Sequence, residues 1–236
     1  MSQAALTITD TTLGKKYVMA LSGLVLFGFV IVHMLGNLQV FLGAEAMNGY
    51  AHTLQSNPTI VWLVRFVLAA TIIVHFGAAF ALTAQNKKAR PIKYRMKKDV
   101  ATNYAAKGMI YGGVVLVAYI IFHLMHFTIA DTAPVIAGKL GYVHSSPFGP
   151  EQMPNVYNNV IKSFQNTGMT AVYLVAQVAL GFHLYHGSWS IFQSLGLSHR
   201  RYNDAVRSVA VAFAIVVVLG FAAVPIAVWT GFVQAV

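Results

Sequence analysis

The chain has 236 residues, 57% hydrophobic and only 9% charged, with a formal net charge of +10 and no cysteine. Soluble domains run at roughly 45–50% apolar and about 25% charged, so this composition excludes an ordinary water-soluble domain and indicates a membrane protein. Lacking cysteine, the chain cannot hold a thioether-linked c-type haem or a thiolate-bound iron–sulfur cluster.

The apolar residues gather in five blocks, approximately 15–41, 58–84, 105–130, 168–194 and 204–235. Each can cross a hydrocarbon core, which needs about 20 helical residues. The predicted fold is an all-α integral membrane bundle of five transmembrane helices, a single domain over residues 1–236. Gly, Ala and Ser among the Leu and Val runs suit helices packed closely in lipid. From Tyr17 onward the first block is too long for a signal-peptide core and lacks a convincing small-residue cleavage site, so it reads as the first span.

In chain order, Lys15 and Lys16 precede the first span, which carries His33 and ends in the polar residues Asn37, Gln39 and Glu45. The second span carries His75. The basic stretch "KKARPIKYRMKK" follows, with Lys107 just before the third span, which carries His123 and His126. The next loop, Asp131 to Thr167, holds Pro134, Pro147, Pro150 and Pro154 and the segment "NVYNNVIKSFQN". There Val156, Val160, Ile161 and Phe164 can line one face of a short helix on the membrane, capping the outer end of the bundle. The fourth span carries His183 and His186. Arg200, Arg201 and Arg207 separate it from a fifth span that has no histidine.

Thirteen of the 16 basic residues precede span one or lie between spans two and three or four and five; Arg65, Lys139 and Lys162 belong to the other side. Because Lys and Arg favour cytoplasmic loops, the N-terminus is expected in the cytoplasm and the C-terminus outside. Trp62, Trp189 and Trp229 fall near span ends, where indoles settle at the interface. The basic stretch serves topology and contact with anionic lipid, or a docking surface for a soluble partner. It needs no nucleic acid to explain it.

Ionisable side chains in spans are costly and usually face the bundle interior or a functional pathway. At about 1.5 Å per residue, His33, 18 residues after Lys15, and His123, 16 after Lys107, lie roughly 24–27 Å from the cytoplasmic surface. His75, 12 residues before Lys87, lies about 18 Å deep, and His183, 17 before Arg200, also belongs to the inner half. Two levels with two helices contributing at each are what two six-coordinate haems stacked across a membrane require. Glycines at 28, 36, 77, 112, 113, 181 and 187 can admit a flat macrocycle, though helix–helix packing explains them equally well. Zinc is a poorer candidate, since the intramembrane histidines come with few carboxylates and no thiol. His183 and His186 are about 300° apart around a helix, so one iron cannot take both from one side. Depth does not choose between them.

The order "VHMLGNLQVFLGAEAMNGYAH", "VHFGAAFALTAQN", "FHLMHF" and "FHLYHGSWSIFQSLG", over five spans with a histidine-free fifth, resembles the dihaem cytochrome b558 anchor subunit of succinate:menaquinone oxidoreductases and related fumarate reductases. It covers nearly the whole chain; "FHxxxGxWS" and "GAEAMN" are its most specific pieces. The resemblance implies two haem b: an outer one ligated by His33 and His123 and an inner one by His75 and His183. It favours His183 over His186 and His123 over His126; His126 and His186 are then candidates for haem propionate contacts. The family also implies a flavoprotein with covalent FAD and an iron–sulfur protein, docked on the cytoplasmic side of a bacterial inner membrane, and a higher oligomer of the heterotrimer. This chain relays electrons to or from a membrane quinone, menaquinone in the family, and contributes no succinate chemistry itself.

A quinone site is expected near the outer haem, around Asn37, Gln39 and Glu45, because quinone reduction needs a proton donor close to an electron donor. A solvated loop carboxylate is the plainer account of Glu45. Two other classes remain: a dihaem cytochrome subunit of another quinone-linked dehydrogenase, of the hydrogenase or formate dehydrogenase type, and a haem-free transporter using the histidines as a proton relay.

Overall fold

The structure is a computed structural model that describes residues 10–89, 104–129 and 155–236. Of the described residues 87% are helical, with no strand among them. Most of the basic stretch, from Arg90 through Lys98, and the proline-rich loop with Lys139 lie outside the described residues.

Among the described residues seven α-helices follow one another: α1 (Thr12–Leu38), α2 (Ala44–Gln55), α3 (Pro58–Lys88), α4 (Tyr104–His123), α5 (Val156–Phe164), α6 (Thr167–Ser194) and α7 (Asn203–Trp229). A 3-10 turn over Gln39–Leu42 extends α1, and a π-helical stretch over Leu124–Ile129 extends α4. Five of these segments are long and apolar enough to cross a membrane: Thr12–Leu42, Pro58–Lys88, Ala106–Ile129, Thr167–Ser194 and Asn203–Trp229. The chain is a multi-pass membrane protein. With no water in the bilayer core, each span must satisfy its own backbone, which helices do and open strands cannot.

The helix ends follow local chemistry. Thr11 caps α1 by accepting from the Gly14 amide at 2.9 Å, Pro58 opens α3, and Asn166 caps α6 by accepting from the Met169 amide at 3.1 Å. Between the 3-10 turn and α2, Gly43 takes φ 96, which a residue with a Cβ rarely adopts. The break lets α2 form where sequence pattern indicates only a polar loop.

In the tightest part of the bundle α1, α6 and α7 meet around Val217, which has no exposed surface, with Met34, Leu184 and Ala214. Phe27 stacks on Phe213 with ring centres 4.0 Å apart. Small residues permit this closeness: a Cβ on Gly181 would lie 2.7 Å from Val218 Cγ2, and one on Gly220 would run into Met34 Sδ. Helix α3 leans on α1, and α4 on α6.

One end of the bundle gathers the start of α1, the end of α3 and the loop between α6 and α7. Gln85 Nε2 reaches the Asp10 carbonyl at 3.5 Å, Trp189 Nε1 donates to Asn203 Oδ1 at 3.1 Å, and the Arg207 guanidinium lies 4.3 Å over the Trp189 ring. Lys15, Lys16, Lys87, Lys88, Arg200, Arg201 and Arg207 are at this end. The other end holds α2, α5 and the tail after α7. Helix α5 turns its apolar face into the protein, with Ile161 and Val160 packed on Val40, Met47, Val224 and Val228. It seals the bundle end with the same side chains that the sequence assigns to a membrane-lying face.

The fifth span ends sooner than residue 235. Gly231 takes φ 78 just after Trp229, and the Val233 amide donates back to the Ala227 carbonyl at 3.1 Å. The tail then folds over α5: Tyr157 donates its hydroxyl to the Gln234 carbonyl at 3.0 Å, and the Val236 amide donates to Asn158 Oδ1 at 3.3 Å.

Replacing Gly181 with Leu should force α6 from α7 and cost about 1–3 kcal/mol, as overpacking does. Gly49→Ala in α2, where nothing lies within 4 Å of an added Cβ, should be neutral or gain up to about 1 kcal/mol. Thermal unfolding in detergent, followed by circular dichroism, checks the difference.

Candidate functional site

The histidines of the first four spans stand in two pairs. His33 on α1 faces His123 on α4 with ring centres 5.7 Å apart and planes at 80°. His75 on α3 faces His183 on α6 at 6.2 Å and 62°. The first pair keeps company with Tyr173, since His123 Nδ1 lies 3.1 Å from its hydroxyl; the second lies beside Met19 and Ser22. Tyr173 precedes His183 by ten residues on α6, and Ser22 precedes His33 by eleven on α1, so the pairs are about 15 Å apart along the bundle.

His75 is held in one tautomer. Its Nδ1 lies 3.1 Å from the Met19 carbonyl, which can only accept, so Nδ1 carries the proton. Ser22 Oγ, which donates to the Val18 carbonyl at 2.7 Å, accepts from the same Nδ1–H at 3.0 Å. The lone pair of His75 is therefore on Nε2, the state of a metal-ligating imidazole whose other nitrogen is anchored. Gly23 makes room for the ring: a Cβ there would lie 3.3 Å from His75 Cε1.

The paired helices do not pack on each other. Neither α1 with α4 nor α3 with α6 forms a helix–helix contact surface, and none of the most apolar 18-residue window of α3 is buried. The histidine rings reach across gaps. Among the described residues, nothing lies within 4 Å of a Cβ placed on Gly28, Gly77, Gly112, Gly113 or Gly187, whereas Gly36 and Gly181 abut Tyr50 and Val218. The seven glycines thus divide between open space and packing. The Nδ1 atoms of His183 and His186 are buried and have no hydrogen-bond partner among the described residues, a costly condition for polar atoms in apolar surroundings.

His126 is 3% exposed, within the π-helical stretch, and its Nδ1 lies 2.9 Å from the Tyr173 hydroxyl. His186 is half-buried with Trp189 6.3 Å away. Asn37 donates its side-chain amide to the His33 carbonyl at 2.7 Å, Gln39 is half-buried in the 3-10 turn, and Glu45 is exposed in the first turn of α2. Sequence reasoning missed Ser22, Gly23 and Tyr173. The depth arithmetic applied to the histidines would have found Tyr173, six residues into α6 and hence near the level of His123.

Among the described residues no three His, Asp or Glu side chains converge as a small-ion site of nitrogen and oxygen donors requires. Two opposed imidazoles are instead the donor set for an iron whose other four positions are filled by a porphyrin. An imidazole nitrogen binds a first-row metal at about 2 Å with its ring centre ~1 Å behind, so opposed ligands have ring centres roughly 6 Å apart. Edge-to-face contact alone accommodates such distances too, but it leaves unexplained why each pair bridges helices that do not pack on each other. The residues present fit haem.

Neither a family model, nor a curated protein, nor a solved structure matches the chain. The choice between His183 and His186 has a direct test. His183 is the ring that faces His75, so His183→Ala should abolish one low-spin haem spectrum, whereas His186→Ala should retain both. Absorption spectra of the two reduced variants check it, and the reverse result would move the ligand to His186.

Proposed function

We propose that the chain is the membrane anchor and electron-transfer subunit of a succinate:quinone oxidoreductase, relaying electrons between an iron–sulfur subunit and a membrane quinone. The observation that carries the dihaem core of this reading is the pair of histidine pairs, each bridging two helices that do not otherwise pack, about 15 Å apart along one bundle. The motif order from "VHMLGNLQVFLGAEAMN" to "FHLYHGSWS" supports the narrower assignment to the succinate family.

His33 with His123 and His75 with His183 would hold two haem b, each of which supplies reversible one-electron transfer when bound. The protein's part is to present Nε2 of His75 by anchoring Nδ1 on α1, to hold facing imidazoles on separate helices, and to surround them with apolar side chains that exclude water. The basic end of the bundle then faces the cytoplasm, by the preference of Lys and Arg for that side. It forms the docking face for the iron–sulfur and flavin-carrying subunits, whose oxidation or reduction of dicarboxylate takes place outside this chain.

Opposite that end, the first turn of α2 displays Glu45, just past the 3-10 turn and the Gly43 break that follow the helix carrying His33. A carboxylate there can exchange protons with water and hand one to a quinone as electrons arrive from the His33 side. With the haem spectrum intact, Glu45→Gln should lower quinone turnover by the 10²–10⁴-fold typical of a lost acid–base group; unchanged turnover would remove Glu45 from the role.

The central test is a dithionite-reduced spectrum with haem quantified per chain, for which two are expected and one or none would overturn the proposal. His123→Leu should remove one haem and leave the other, because the His75–His183 pair stays complete. Loss of both from inserted protein would mean that the pairing is wrong or that assembly is sequential.

A further inference from the structure

Tyr173 stands between two imidazoles of α4. Its hydroxyl lies 3.1 Å from Nδ1 of His123 and 2.9 Å from Nδ1 of His126. Little freedom remains to the ring: Tyr173 is 5% exposed, and the rings of Phe164 and Tyr119 meet it edge to face at 4.9 Å and 5.3 Å. Phe164 comes from α5, which is tied to α6 where Thr170 donates its hydroxyl to the Phe164 carbonyl at 2.8 Å. The cap at the bundle end therefore holds this tyrosine in place.

The backbone of α4 changes at the same point. Regular α-helix ends with His123 and continues as π-helix from Leu124 to Ile129, with His126 in its first turn. Such π-helical insertions are rare and frequent at functional sites. Here the altered turn coincides with two histidines converging on one hydroxyl.

A phenol has one proton and accepts through its oxygen. A chain running in one direction satisfies all three groups: one imidazole donates to the oxygen, and the hydroxyl donates to the other. Were His126 the donor, His123 would accept at Nδ1, carry its proton on Nε2 and have no lone pair there for a metal. The opposite direction leaves Nε2 of His123 with its lone pair, the state in which His75 is held by the Met19 carbonyl.

Resting on the dihaem reading above, we propose that Tyr173 is a positioning residue for the His33–His123 site. It accepts the Nδ1–H of His123 and donates its own O–H to Nδ1 of His126, fixing the ligating tautomer. Donation to His126 polarises the phenol oxygen and strengthens its grip on the His123 proton, as linked hydrogen bonds do. An imidazole whose Nδ1–H is so held is a more basic ligand, which favours the oxidised iron. His126 thereby acts on the site through Tyr173, without touching the metal.

Redox titration of the purified full chain with its bound haem, followed by absorbance, tests this. His123→Leu identifies which of the two midpoint potentials belongs to the His33–His123 site. Tyr173→Phe preserves the ring and removes the hydroxyl. It should move that potential to a more positive value, leave the other in place, and weaken haem retention at the same site by about the 10–100-fold typical of a lost outer partner. His126→Phe leaves Tyr173 bonded to His123 and should move the same potential in the same direction by less. If Tyr173→Phe fails to assemble, the His126→Phe titration decides alone, and no shift there overturns the proposal. Two haems with both potentials unmoved in Tyr173→Phe would also overturn it while leaving the dihaem reading intact; a wild-type chain without haem would overturn both.

Discussion

Six imidazoles lie within the spans of a chain whose surroundings there are hydrocarbon, and the rest of the structure answers to that constraint. A polar nitrogen in such surroundings costs several kcal/mol unless something bonds to it. Met19 and Ser22 serve His75, and Tyr173 serves both His123 and His126. For Nδ1 of His183 and His186 the described residues offer no partner. The facing rings of each pair stand 5.7 Å and 6.2 Å apart, a separation that suits a shared metal under the dihaem reading proposed above.

That requirement divides labour among the helices. Around Val217, α1, α6 and α7 pack closely, with glycines at 181 and 220 where side chains of the neighbouring helix come nearest. Helices α3 and α4 are placed differently: each leans on one partner and sends its histidine across a gap to another helix. In lipid, apolar surface gains nothing from leaving the solvent, so association rests on close packing and polar bonds. For α3 both come from α1, which packs along it and bonds His75 through Met19 and Ser22.

Hydropathy and the fixed rise of a helix account for what could be read from the sequence. Five apolar blocks become five long helices because a bilayer permits little else. His33 is beside His123, as their similar depths from charged ends imply, because 1.5 Å per residue holds along any α-helix; at the other level depth leaves His183 and His186 open, and it is His183 that faces His75. What hydropathy does not register is where an apolar run stops being straight. The φ of 78 at Gly231, the break at Gly43 that starts α2, and the π-helical turn after His123 are set by single residues and tertiary contacts inside or beside stretches of uniform composition. The anchors were missed for a related reason: Ser22 and Tyr173 look like ordinary span residues until the partner helix is beside them.

The two sites are anchored unequally, and α1 joins them. At His75 the acceptors belong to one turn of α1: the Met19 carbonyl, the Ser22 hydroxyl, and beside them the bare Cα of Gly23, which lets the ring come close enough to reach both. At the other level α1 contributes His33 itself, while His123 leans on a phenol whose proton is committed elsewhere. A backbone carbonyl is fixed by the helix that contains it, whereas a phenol can pass on the influence of whatever it donates to. The anchor of His75 is therefore tied to the geometry of α1, and the anchor of His123 to α4, α5 and α6 together. Because α1 anchors one pair and supplies a member of the other, any shift of that helix along its axis alters both sites at once, which gives a rigid core of α1, α6 and α7 a purpose beyond stability.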